Sequence, residues 1–84
     1  MVTPESIRAN IAQGIATEHL KVVGDDGTHF EAVIVSEAFA GKSRVQRHQM
    51  VYQTLGGRMR EEIHALSMKT YTPQEWTSLG SGGE

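Results

Sequence analysis

The hydrophobic positions of this 84-residue chain change their period several times, and each change marks an element. Ile7, Ile11 and Ile15 recur every four residues, the spacing of one helix face. Thr3-Pro4-Glu5 precedes them with a hydroxyl cap, a proline whose missing N–H does no harm, and an acid near the positive end of the helix dipole. Gly14 is placed to end the helix. From His19 the period falls to two, with Leu20 and Val22 on one face. Asp26-Gly27 reads as a hairpin turn, after which Phe30, Ala32 and Ile34 alternate with Glu31, Val33 and Val35 over residues 28–36. A second helix is predicted from Ser43, with Gln46 completing a capping box and Val45, His48, Val51, Tyr52 and Leu55 as its apolar stripe. Gly56-Gly57 breaks that helix, and residues 58–63 offer a further short helical turn. Residues 64–71 return to period two through Leu66 and Met68. Thr72-Pro73-Gln74-Glu75 then repeats the cap-and-proline signature ahead of Trp76, whose indole is expected to pack on the sheet.

This order, α-β-β-α-α-β with a terminal turn, describes an α+β sandwich: a three-stranded mixed sheet with helices on one face. One domain is expected over residues 1–78, with 79–84 as a disordered tail. The last two strands are joined by a helical crossover, which makes them parallel. As neighbours they would begin at the same rim of the sheet. His29 stands at the start of one and His64 at the start of the other, so two imidazoles far apart in sequence become a candidate metal site. Strand parity opposes this. His64 falls in step with Leu66 and Met68, whereas His29 is out of step with Phe30, Ala32 and Ile34. The pair meets only where the pleat gives way to loop at the strand ends.

Size and composition narrow the classes. A domain this small buries only about 60% of its unfolded surface, enough for one thin core and too little for a large internal pocket. Zero cysteines exclude disulfides, cysteine-type zinc sites and a self-supplied iron–sulfur ligand set. No apolar run approaches the roughly 20 residues that span a bilayer, and the amino terminus lacks a signal-peptide core, so a cytoplasmic protein without membrane contact is expected. The net charge of −2 hides an asymmetry: residues 38–60 contain no acid, yet hold Lys42, Arg44, Arg47, Arg58 and Arg60. That block is either a solvated helical face or a surface for nucleic acid or an acidic protein.

Several motifs fall short of chemistry. Residues 36–43 approach a phosphate-binding loop, but Ser36 stands where glycine must let the backbone wrap phosphates. Lys42 and the first N–H groups of the following helix could still hold one anion. Glu61-x-x-His64 matches half of a di-iron bundle motif, in a single copy without the other carboxylates. No zinc-protease or serine-elbow motif occurs, and nothing points to an enzyme. His48 is read as a hydrogen-bonded core histidine and His19 as plain surface.

Val35-Ser36-Glu37-Ala-Phe39-Ala-Gly41-Lys42-Ser43-Arg-Val-Gln46-Arg47-His48, running on to Val51 and Leu55, resembles the core signature of the BolA family. Ile63-His64-Ala65-Leu66-Ser67 followed by Thr72-Pro73-x-x-Trp76 resembles its carboxy-terminal signature, and Gly-Thr-His29-Phe its histidine-bearing loop. The resemblance covers nearly the whole chain. It implies a KH-like (class II) fold and a non-enzymatic partner of monothiol glutaredoxins. In such a heterodimer a bridging [2Fe-2S] cluster takes one thiolate from glutaredoxin and one from glutathione, and two ligands from this chain, His64 first and His29 second. Two imidazoles on one iron and two thiolates on the other form a Rieske-like split, which raises the reduction potential. Imidazole ligates only when neutral, so such a cluster should loosen as pH falls toward about 6.5. The free protein is expected as a monomer or weak homodimer. The family also includes DNA-binding stress-response regulators, for which Lys42, Arg44, Arg47, Arg58 and Arg60 would be the contact surface. A KH clamp needs a Gly-x-x-Gly loop, and this chain has only Gly41-Lys-Ser-Arg44 and Gly56-Gly57.

Overall fold

The first helix forms where its cap dictates. Thr3 Oγ1 accepts a hydrogen bond from the Ser6 N–H at 3.0 Å, and the Thr3 N–H donates to Ser6 Oγ at 2.9 Å. These reciprocal bonds satisfy two N–H groups left without intrahelical partners. The computed structural model describes residues 2–24, 29–63 and 65–79, residues 58–60 by their backbone. Its elements are α1 (Pro4–Gly14), β1 (His19–Val23), β2 (His29–Val35), α2 (Arg44–Glu62), β3 (Ala65–Tyr71) and α3 (Pro73–Ser78). The expected Asp26-Gly27 turn, the residue His64 and the tail from residue 80 lie outside the described residues.

The strands lie in the order β1-β2-β3. β1 and β2 are antiparallel, pairing Leu20 with Ile34 and Val22 with Ala32. β2 and β3 are parallel, as the crossover requires, pairing Phe30 with Leu66 and Ala32 with Met68. Residues opposite one another in a sheet share a face, so Leu20, Val22, Phe30, Ala32, Ile34, Leu66 and Met68 form one apolar surface. Ile7 and Ile11 from α1, Ile15 just past its end, and Val51 and Leu55 from α2 close over it, and all five are buried. Each such side chain contributes roughly 1.5–3 kcal/mol through removal of apolar area from water. The two helices approach closely at Gly14, where an added Cβ would lie 2.6 Å from Thr54 Cγ2. Gly56 adopts φ +74°, which interrupts α2 and kinks it there.

Val45 departs from the predicted stripe and is 66% exposed. The first turn of α2 stands beyond the core, and the helix packs against it from Met50 onward.

The opposite face of the sheet is covered at one end. His19, Val35 and Tyr71 form its last row. Trp76 of α3 lies over this row, its ring 4.9 Å from that of His19 with 20° between planes, and 5.5 Å from that of Tyr71. Val35 is consequently buried although it faces away from α1 and α2. The indole does pack on the sheet, and on the face the longer helices leave open. His19 is therefore not plain surface: it is half-buried in this stack, with Nε2 buried and lacking a hydrogen-bond partner.

Ser36 shows why the loop after β2 does not take the open form of a phosphate-wrapping nucleotide loop. Its Oγ donates to the Ala16 carbonyl at 2.6 Å and accepts from the Ala38 N–H at 3.0 Å, capping a 3-10 turn over Glu37–Phe39. Phe39 is driven into the core rather than presented to a ligand. Ser36→Ala should leave the Ala16 carbonyl without its donor and uncap the turn, lowering stability by about 1–3 kcal/mol in urea unfolding at unchanged m-value.

Candidate functional site

Two rims of the sheet carry the residues singled out from sequence. At the first, β2 and β3 begin together, with His29 in register with Ala65. His29 is exposed and shares the outer face with Glu31 and Val33. It borders a shallow concavity with Val23, Gly24, Phe30, Glu31 and Ser67. Ala65 directly follows His64 in the sequence. His64 itself, the first-choice ligand, lies outside the described residues.

The second rim lies at the other end of the strands, where the chain leaves β2 and enters α2. Ser43 caps α2 as expected: its N–H donates to Gln46 Oε1 at 2.8 Å and its Oγ accepts from the Gln46 N–H at 3.2 Å. Lys42 and Arg44 flank this cap and are exposed. Arg47, one turn on, is placed quite differently. Its Nη1 and Nη2 donate to Glu75 Oε1 and Oε2 at 2.8 and 3.1 Å, a two-pronged pair. Nη1 also donates to the Thr70 carbonyl at 3.2 Å, and Nε to the Lys42 carbonyl at 3.0 Å. The guanidinium lies 5.8 Å from the centre of the Phe39 ring. Only 12% of the Arg47 side chain remains exposed. This cation fastens α2, β3 and α3 to one another. Arg58 and Arg60 belong to the part of α2 beyond the Gly56 kink, and their side chains lie outside the described residues.

Lys42, Arg44, Arg47 and His48 border a groove of about 690 Å³ whose other wall is β3 from Met68 to Tyr71, with Glu75 and Leu79 at its end. His48 is half-buried on this groove rather than sealed in the core. Sequence reading missed Lys69 and Glu75 here. Lys69 occupies an ordinary alternate position of a strand, and Glu75 was visible only as a helix-cap residue. It does serve that cap, accepting from the Thr72 N–H at 2.9 Å.

The charge of Glu75 is correspondingly well stabilised. Its carboxyl is held at about 2, below the ordinary 4.5, first by the hydrogen bond from Arg47, then by that from the Thr72 backbone, with the Arg47 charge assisting and burial opposing. Arg47 is shifted upward, chiefly by the same hydrogen bond.

The fold is a mixed sheet backed by two helices, with an imidazole at one rim and a basic groove at the other. The profile of the family described as BolA-like protein matches residues 5–75, and the chain belongs to the BolA family. It is 44% identical over 80 residues to Protein BOLA2 of Arabidopsis thaliana, covering 90% of this chain and 85% of that one. It is 37% identical over 82 residues to the DNA-binding transcriptional regulator BolA of Vibrio cholerae, covering 87% and 77%. Among solved structures, a bol-like protein from Babesia bovis superposes with a TM-score of 0.83 at 32% identity, covering 93% of both chains. Among the described residues, no helix is long and apolar enough to cross a membrane.

The depressed Glu75 value gives a signed expectation. A group titrating lower in the folded than in the unfolded state contributes stability that is complete above its unfolded value and lost as pH falls toward its folded one. The α3 anchor should therefore weaken between pH 4.5 and about 2. Trp76 is the chain's one tryptophan and rides on α3, so its emission should report the change. Glu75→Gln should remove this acid step and lower stability at neutral pH by about 1 kcal/mol.

Proposed function

We propose that this BolA-family protein is a non-enzymatic adaptor that shares a bridging [2Fe-2S] cluster with a monothiol glutaredoxin in iron–sulfur assembly or iron regulation. The observation that carries this reading is the β2–β3 register, which sets exposed His29 opposite Ala65, the immediate successor of His64. Donor chemistry agrees. The chain has four histidines and no cysteine, so it can offer nitrogen and must receive its sulfur from another molecule. His29 and His64 would hold one iron, and glutaredoxin and glutathione would supply thiolates to the other. When bound, the cluster supplies one-electron redox chemistry, at a potential raised by the imidazole ligands. The chain's own part would be to offer ring nitrogen at the rim where exposed His29 stands, which a second protein can approach without the core being disturbed.

A second reading, a DNA-binding regulator, is supported by the name of the Vibrio cholerae relative and by the exposure of Lys42 and Arg44. It ranks lower because Arg47 is already committed to Glu75.

The test mixes the full chain with a monothiol glutaredoxin, glutathione, ferrous iron and sulfide, and records visible absorption. The wild-type pair should develop the charge-transfer bands of a heterodimer cluster. His29→Ala should weaken or shift them, and His29→Ala with His64→Ala should abolish them while the far-ultraviolet circular dichroism stays native. An unchanged spectrum from the double variant would sink histidine ligation. The DNA reading instead predicts that Lys42→Glu with Arg44→Glu removes salt-sensitive duplex binding.

A further inference from the structure

β3 is the outer strand of the sheet, and among the described strands none pairs beyond it. Its direction of bonding follows from two contacts. The Tyr71 carbonyl accepts from the Ser36 N–H at 2.9 Å and so points inward to β2, whereas the Thr70 carbonyl points outward to Arg47. Backbone groups alternate along a strand, so Met68 and Thr70 direct theirs to the outer edge. The groove beside α2 is bordered by Met68 and Thr70, which share the core face, and also by Lys69 and Tyr71, which share the opposite face. A depression touched by both faces of one strand must run along that strand's edge. Lys42 and Arg44 form its opposite lip, Lys69 adds a third cation, and the carboxylate of Glu75 is occupied by Arg47.

We infer that this edge is a docking site for an extended acidic peptide segment, which joins the sheet beside β3 as a fourth strand. The inference is independent of the cluster reading, because His29 stands at the opposite end of the strands. Peptide suits the groove better than nucleic acid does. With the Thr70 carbonyl held by Arg47, the edge along the groove presents the Met68 and Thr70 N–H groups and the Met68 carbonyl, donors and an acceptor that a peptide backbone complements together. Phosphodiester oxygens only accept. A second copy of this chain fits poorly, since pairing β3 with β3 would oppose Lys42, Arg44 and Lys69 to their own counterparts. Acidic side chains on the incoming strand would meet those cations, which gives selectivity as well as faster encounter.

The experiment titrates the ¹⁵N-labelled full chain with a capped ten-residue peptide of alternating glutamate and threonine, and with the same peptide N-methylated at alternate residues. With the unmodified peptide, the Met68 and Thr70 amides should shift saturably and exchange more slowly with solvent. The methylated peptide, equal in charge, should bind at least tenfold more weakly. Lys42→Glu with Arg44→Glu, both at exposed positions, should also weaken binding at least tenfold without altering amide signals elsewhere. Equal binding of the two peptides, perturbation confined to other amides, or no shift at millimolar peptide would overturn the inference. So would a duplex DNA oligomer that displaces the peptide from these amides at lower concentration.

Discussion

The backbone ladder between β2 and β3 fixes where everything else in this protein can be. Parallel strands cannot be joined by a tight turn, so the chain must travel from the end of β2 back to the start of β3. α2 makes that journey along one face. Its first turn is therefore held near the finishing ends of the strands and its last near their beginnings. The two rims acquire different characters from this alone: an imidazole where the strands begin, a cationic helix start where they finish. Ser36 extends the ladder by one bond to Tyr71 and immediately secures the Ala16 carbonyl through its hydroxyl. The same residue thus ends β2, ties it to the segment entering β1, and starts the turn that buries Phe39.

Much of this architecture was legible because it is written in short-range chemistry. The three helix caps, Thr3, Ser43 and Thr72, each satisfy backbone N–H groups through residues three positions away, and such pairs can be read directly. Strand alternation at Phe30, Ala32 and Ile34 fixed the core face equally well. What escaped reading depends on residues brought together only by folding. Arg47 and Glu75 are remote in sequence, and nothing local distinguishes Arg47 from Arg44. Folding makes one a buried tie and leaves the other in solvent. His19 has the same character: a polar residue at a strand start, until the Trp76 ring lies on it. Val45 escaped for the opposite reason, since periodicity says which face of α2 is apolar but not how far along the helix the core extends. Topology alone made His29 and His64 a candidate metal pair, and the family resemblance added the expectation of a shared cluster.

The basic block consequently divides into unequal parts. A guanidinium with two carboxylate bonds, two carbonyl bonds and an aromatic neighbour is a structural element, and its charge is spent inside the protein. The side chains of Lys42 and Arg44 remain outside that network, on either side of the Ser43 cap. The surface charge open to a partner is therefore more local than the composition implies, a pair of cations at one groove lip with Lys69 across from them. Because Arg47 holds the outward carbonyl of Thr70, it also sets the end of the unpaired stretch of β3. The same side chain that stiffens the groove limits its length.

A chain of this size has one thin core, already filled by α1, α2 and the inner face of the sheet, so a cluster cannot be enclosed within it. On the proposed reading, a cluster would have to be ligated at the boundary, with a second molecule supplying both the missing sulfur and the missing cover. A rim meets that requirement, because strand ends expose side chains without exposing core. The finishing rim is separated from it by the length of seven-residue strands, roughly 20 Å at about 3.3 Å per residue. That distance lets a partner seated over His29 leave the groove beside β3 unobstructed. On the two readings proposed above, both surfaces would be open together, the first to a protein that brings thiolate and the second to an acidic strand, with the ladder between them setting their spacing.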